Sequence, residues 1–84
     1  RHEVAVDGEK LNLTLAEFKL LQVLVSSSGR VFSRSQLIER IHGDLAITTD
    51  RASDVLVVGL RKKMGDHGNL VETVRGLGYR LKES

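Results

Sequence analysis

Four residues recur at helical spacing in the last third of the chain: Arg51, Val55, Val58 and Lys62, with Arg61 at the edge of the same stripe. About ten residues further on, Thr73 and Arg75 lead into Gly76-Leu77-Gly78-Tyr79. Guanidinium and ammonium groups suit phosphate oxygens and guanine edges, and a valine offers apolar contact to a thymine methyl. Charged helix faces usually do no more than meet solvent. Two outward valines beside two cations are poorly explained that way, because water does not favour them. A cationic helix followed by a glycine-bent tongue suits a duplex: the helix enters the major groove, and the tongue reaches backbone or minor groove.

Other chemistries have little to build on. There is no cysteine, so a disulfide framework and a cysteine zinc site are excluded. His2, His42 and His67 lie on separate segments, and no paired carboxylate or nucleophile–base arrangement recurs at a helical spacing. A metal site on His42 and Asp44 has too few donors. Gly76-Leu77-Gly78 lacks the third glycine and the strand-then-helix setting of a dinucleotide loop. Gly65-Asp66-His67-Gly68 has the outline of an RNA-clamping GxxG, but Asp66 would face phosphate with the wrong charge, and turn chemistry accounts for both glycines. Phe18, Phe32 and Tyr79 are the only aromatics, too few for a stacking platform on single strands. The reading is therefore of a chain that is no enzyme and needs no cofactor or metal. Its partner would be duplex DNA; the alternative is a winged-helix protein-interaction module without DNA affinity, recognisable by salt-insensitive binding.

The elements that must position these residues can be read in order. The 84 residues, 40% apolar, make one small domain over 1–84. No apolar run reaches the 18 residues of a membrane span, and neither a signal nor a transit segment is visible. The expected location is the cytoplasm, and the start at Arg1 reads as a piece of a longer protein. Residues 1–50 carry six Lys/Arg against seven Asp/Glu, net −1; residues 51–84 carry seven against four, net +3. The positive field belongs to the helix and tongue.

Residues 2–6 and 10–13 are β-prone around the Asp7-Gly8 turn signal. Thr14 with Glu17 forms a capping box, opening a helix whose Phe18, Leu20, Leu21, Leu24 and Val25 face a core. Ser33 with Gln36 is a second capping box, for a helix with a narrow Leu37, Ile38, Ile41 stripe and Gly43 as its stop. After a loop over 43–49, Asp50 caps a third helix, 50–64. Its Ser53, Leu56, Val57, Leu60 and Met64 fill an arc about 100° wide that faces inward. Asp54 is expected to pair with Arg51 or Arg61. The mid-helix Gly59 has two readings, close approach to a sugar–phosphate wall or a tolerated loss of side chain. Gly65 closes the helix, Asp66 to Asn69 turn the chain, and the tongue spans 70–82 with its bend at Arg75-Gly76-Leu77-Gly78. Tyr79 is divided between core packing and a phosphate hydrogen bond. Hairpin, three helices and hairpin make an α+β winged helix-turn-helix, the last hairpin being its wing.

With these residues in place, the chain resembles the C-terminal effector domain of OmpR/PhoB-type two-component response regulators, end to end. The resemblance rests on Leu13-Thr14-Leu15-Ala16-Glu17-Phe18-Lys19-Leu20-Leu21, on Gly29 to Leu37, on Leu60-Arg61-Lys62-Lys63-Met64, and above all on Glu72 to Leu81. It implies a DNA-binding output domain that occupies tandem direct repeats, with Arg51, Val55, Val58, Arg61, Lys62, Thr73, Arg75, Tyr79 and His42 at the DNA. It also implies that the 43–49 loop, through Asp44, Leu45 and Ile47, meets RNA polymerase. A cognate sensor kinase would act through a receiver domain that this segment lacks. The departures are Leu15 where relatives carry Pro, His42 where they carry Trp, and Leu56, Val58 and Gly59 where they carry His and polar or basic residues. The N-terminal sheet also has chain for two strands where relatives have four.

Overall fold

The computed structural model describes residues 2–6, 8–41 and 50–83, with the side chains at 2–4, 6, 9 and 50 outside that description. Strands β1 (His2–Val6) and β2 (Glu9–Leu13) pair antiparallel with Val6 opposite Glu9. Helices α1 (Leu15–Ser26), α2 (Arg34–Ile41) and α3 (Asp50–Met64) follow. A short 3-10 turn, Gly65–Leu70, leads into the hairpin of β3 (Val71–Val74) and β4 (Gly78–Leu81). This is the winged helix-turn-helix expected from the element order. Asp50 proves to be the first residue of α3, one position inside the expected cap, and Gly78 belongs to β4.

Both capping boxes form. Glu17 N–H donates to Thr14 Oγ1 (3.2 Å) and Thr14 N–H to Glu17 Oε1 (3.0 Å). Gln36 N–H donates to Ser33 Oγ (3.1 Å) and Ser33 N–H to Gln36 Oε1 (2.9 Å). Each box satisfies two backbone donors that a helix start leaves open. The core joins all three helices to β2 and β3: Leu11 and Leu13 from β2, Leu20, Leu21 and Leu24 from α1, Leu37 and Ile41 from α2, Val57, Leu60 and Met64 from α3, and Val71 from β3, with Phe32 between α1 and α2. Val25, expected on the inner stripe of α1, is instead 53% exposed, because the neighbouring elements cover only the Leu20–Leu24 side.

Two features of the packing were not expected from sequence. The first is a third partner for the wing. Phe32, between α1 and α2, bridges antiparallel to Tyr79: each residue's N–H donates to the other's carbonyl, at 2.8 and 2.9 Å. Phe32 is fully buried, with the guanidinium carbons of Arg30 and Arg40 at 4.8 and 5.3 Å from its ring centroid. The bridge requires Gly78: a Cβ there would stand 2.0 Å from the Phe32 carbonyl oxygen, at a φ of +149°.

The second is a polar tie in the core. Glu17 caps α1 and is also buried, and its Oε1 accepts from Lys63 Nζ at 2.6 Å. Its Oε2 lies where a side chain at Gly59 would be, 2.6 Å from an ideal Cβ. Neither earlier reading of Gly59 anticipated this: the close approach is to Glu17 of α1, inside the protein. Burial pushes the Glu17 carboxyl up, but the Lys63 hydrogen bond, the Thr14 backbone bond and the Lys63 charge outweigh it and hold the group below its ordinary 4.5.

Two outcomes are expected. Glycine in a helix interior is about 1 kcal/mol less favourable than alanine. In the presence of Glu17, Gly59→Ala should fail to gain that amount, since the pinned carboxylate must move; in a Glu17→Ala background it should gain it in full. Equal effects in the two backgrounds, by urea unfolding, would remove Glu17 as the reason for Gly59. As for pH, a carboxyl lowered in the folded state contributes stability that is complete above its unfolded value and lost as pH falls through the folded one. Glu17→Gln should therefore be less stable than the parent at neutral pH, with the gap closing as pH drops below 4.5.

Candidate nucleic-acid interface

Helix α3 has two faces with opposite duties. Ser53, Val57, Leu60 and Met64 are essentially buried and Leu56 is half-buried, as its inward arc requires. On the other side Arg51 and Lys62 are exposed, and Val55 and Val58 stand 65% and 52% open. A shallow groove lined by Arg34, Arg51, Asp54, Val55 and Val58 runs over this face. A second groove, lined by Arg34, Asp54, Thr73, Arg75 and Tyr79 among others, continues it to the wing. Arg51, Val55, Val58, Thr73, Arg75 and Tyr79 thus line two grooves that share Arg34 and Asp54, whereas Arg61 and Lys62 line neither. His42, Asp44, Leu45 and Ile47 lie outside the described residues.

The wing is held against α3 by polar bonds. Arg61, half-buried, donates from Nε and Nη2 to the Val71 carbonyl (2.9 and 2.6 Å) and from Nη2 to Thr73 Oγ1 (2.8 Å). Its guanidinium also lies 5.9 Å from the Tyr79 ring centroid. Expected at the DNA backbone, Arg61 is therefore committed in large part to the wing. Thr73 accepts from Arg61, and its own hydroxyl hydrogen is not used in that bond. At the tip Leu77 N–H closes the turn onto the Val74 carbonyl (2.9 Å), and Arg75 and Leu77 both project into solvent.

Asp54 departs from expectation. Its partners are neither Arg51 nor Arg61 but Arg34, the first residue of α2, at 3.2 Å, and the Tyr79 hydroxyl, which donates to Oδ1 at 2.7 Å. Burial and then the Asp54 hydrogen bond and charge push the Tyr79 hydroxyl above its ordinary 10.0, with Arg61 and Arg34 pulling the other way. The hydroxyl proton is spent on Asp54, so donation from Tyr79 to a phosphate would have to break that bond. Arg34 escaped the sequence reading, because its relation to α3 exists only once the helices cross. Across the wing strands, Arg80 pairs with its register partner Glu72. Among the described residues no ion pair involves Arg51, Lys62 or Arg75, and all three are exposed. No group of three or more potential metal ligands occurs among the described residues.

Comparisons with known proteins converge. Residues 8–81 match the family described as "Transcriptional regulatory protein, C terminal". The chain is 47% identical over 85 residues to the sensory transduction protein RegX3 of Mycolicibacterium smegmatis, an alignment covering 98% of this chain and 37% of that protein. It is 41% identical over 82 residues to the phosphate regulon transcriptional regulatory protein PhoB of Escherichia coli, covering 95% and 36%. The chain thus spans little more than a third of the length of these relatives. Among solved structures, the DNA-binding domain of the response regulator AdeR, in complex with an intercistronic region, superposes with a TM-score of 0.84 at 33% identity, covering 99% of this chain and 87% of that one. The DNA-binding domain of Bacillus subtilis CssR gives 0.76 at 38% identity, covering 94% and 89%.

The Arg61 geometry generates a test. Hydrogen bonds from a charged donor contribute about 1.5–3 kcal/mol each when their partners are otherwise left unpaired. Arg61→Ala should lower unfolding stability by about 1–3 kcal/mol and speed amide exchange in Val71–Val74 more than in α1. Arg61→Lys should not restore protection, since a single ammonium cannot span Val71 and Thr73 as the planar fork does. Unchanged wing exchange in Arg61→Ala would show that the bonds carry no weight.

Proposed function

This chain belongs to the transcriptional regulatory protein C-terminal family, and from that premise we propose that it is the sequence-specific duplex-DNA-binding output domain of an OmpR/PhoB-type two-component regulator. One observation carries the reading: a single exposed side joins the Arg51, Val55, Val58 and Lys62 face of α3 to the Arg75 tip of the wing, while the reverse of α3 is core. In this reading α3 lies in the major groove and the wing crosses to backbone or minor groove. Arg51 and Lys62 neutralise phosphates or meet base edges. Val55 and Val58 rest on thymine methyls, as only apolar contact is open to them. Thr73 donates to a phosphate, and Arg75 senses a narrow minor groove. Arg61 serves the same surface by holding the wing. Nothing in the arrangement calls for catalysis.

The whole protein's behaviour is proposed on the same basis. Binding is to tandem direct repeats about one helical turn apart. Phosphorylation by a cognate sensor kinase would act on a receiver domain beyond this segment, in the cytoplasm. The loop carrying Asp44, Leu45 and Ile47, outside the described residues, is assigned to RNA polymerase contact, and His42 to a backbone contact.

Selection of bound duplexes from a random pool, followed by titration at several salt concentrations, tests the proposal. With about three to five phosphates neutralised, log K should fall with log salt at a slope of roughly −3 to −5. Arg75→Ala should weaken binding by about 1–3 kcal/mol and reduce preference for A·T at the flank. A flat salt response, or no sequence enriched from the pool, would refute it.

A further inference from the structure

Asp54 is an acid on the edge of a cationic surface, where its charge opposes the phosphate attraction that surface provides. Both its carboxylate oxygens are nevertheless occupied, and by different elements. Oδ2 takes Arg34 Nη2 of α2 at 3.2 Å, and Oδ1 takes the Tyr79 hydroxyl of β4 at 2.7 Å. Tyr79 in turn is fastened by its backbone to Phe32, two residues ahead of Arg34. Asp54 therefore closes a ring from α2 through α3 to the wing and back to the segment that starts α2. It also lines both grooves of the surface, the one over Val55 and Val58 and the one under Arg75. The other polar tie between α3 and the wing, Arg61 to Val71 and Thr73, lies about two turns further along the same helix. With the base of the hairpin fastened by the Phe32–Tyr79 backbone bonds, the two side-chain ties set the angle that remains between hairpin and helix.

We propose that Asp54 is the positioning residue that sets the spacing between the base-reading face of α3 and the Arg75 tip of the wing, so that it raises sequence discrimination while lowering generic attraction to DNA. This rests on the DNA-binding reading above. A carboxylate that merely sat near the surface would lower affinity for every duplex alike. One that fixes the relative placement of two reading elements lowers generic affinity but favours only the sequences whose groove geometry matches that placement. The burial and hydrogen bonding of Tyr79 keep its hydroxyl protonated, and so a donor to Asp54, throughout the neutral range.

The test compares affinities for a duplex selected from the random pool and for a shuffled duplex of the same length, at one salt concentration. For Asp54→Ala, affinity for the shuffled duplex should rise about 2–5-fold, since one opposing charge is gone. The ratio of selected to shuffled affinity should fall about tenfold. Tyr79→Phe, which removes one hydroxyl and no charge, should lower the ratio by about threefold with no rise in shuffled affinity. The double variant should fall no further than Asp54→Ala alone, as expected of residues in one bonded unit. Asp54→Asn keeps an acceptor for Tyr79 and should retain most of the ratio. A fold merely weakened would lose both affinities in step and leave the ratio alone. If Asp54→Ala raises both affinities together, the acid is only a repelling charge and the inference is overturned. If Asp54→Ala proves unfolded in a melt, Tyr79→Phe decides, an unchanged ratio overturning the inference. If the parent chain itself shows no preference among duplexes, the DNA-binding proposal fails first.

Discussion

The wing stands where it does because Gly78 has no side chain. Only a bare α-carbon lets β4 come close enough to Phe32 for two backbone hydrogen bonds between residues 47 positions apart. A two-stranded hairpin is marginal by itself in water, and this third partner ties it to the segment that launches α2. From that bridge the rest of the surface follows. Tyr79 is brought over α3 to reach Asp54, Thr73 comes within reach of Arg61, and Arg75 is carried to the tip of a tongue whose base cannot shift. Phe32 anchors the bridge from below, buried and lidded by two guanidinium groups.

The opposite end of α3 has its own constraint. Its last turn carries Arg61, Lys62 and Lys63, placed favourably at the negative end of the helix dipole. Lys63 turns inward to Glu17, and the carboxylate it meets is the same one that caps α1. One acid thereby starts one helix and holds the end of another, and Gly59 makes room for it. A buried carboxylate with fewer partners would be destabilising; here two donors share Oε1, and the group stays ionised.

The distribution of charge reads differently once the contacts are known. Residues 51–84 hold seven Lys/Arg, but Arg61, Lys63 and Arg80 are engaged within the protein. Arg34, from the acidic half of the sequence, joins the surface through Asp54. Of the seven, four are left to face a polyanion: Arg51 and Lys62 on the helix, Arg75 at the wing tip, and Lys82 just past β4. In the proposed reading, a surface of few charges with two exposed valines between them would read shape and methyl groups more than hold any duplex tightly.

What was legible in the sequence alone was whatever is decided within a few residues. The Thr14–Glu17 and Ser33–Gln36 boxes, the pairing of β1 with β2 and the two faces of α3 are set by short spacings, and so is the order of elements that spells a winged helix. The family resemblance added only expectations about the wider assembly, the tandem repeats and the polymerase-facing loop. Local pattern could not assign Asp54 to Arg34 when Arg51 lay one turn away, place Tyr79 on Asp54, send Lys63 to Glu17 across 46 residues, or find in Phe32 a partner for the wing. It also overcounted the core, turning Val25 inward where no neighbour covers it. The reason is the same in each case. Several residues of the right charge or polarity satisfy the chemistry equally well until the helices cross, and only the packed chain decides which of them lies within hydrogen-bonding distance.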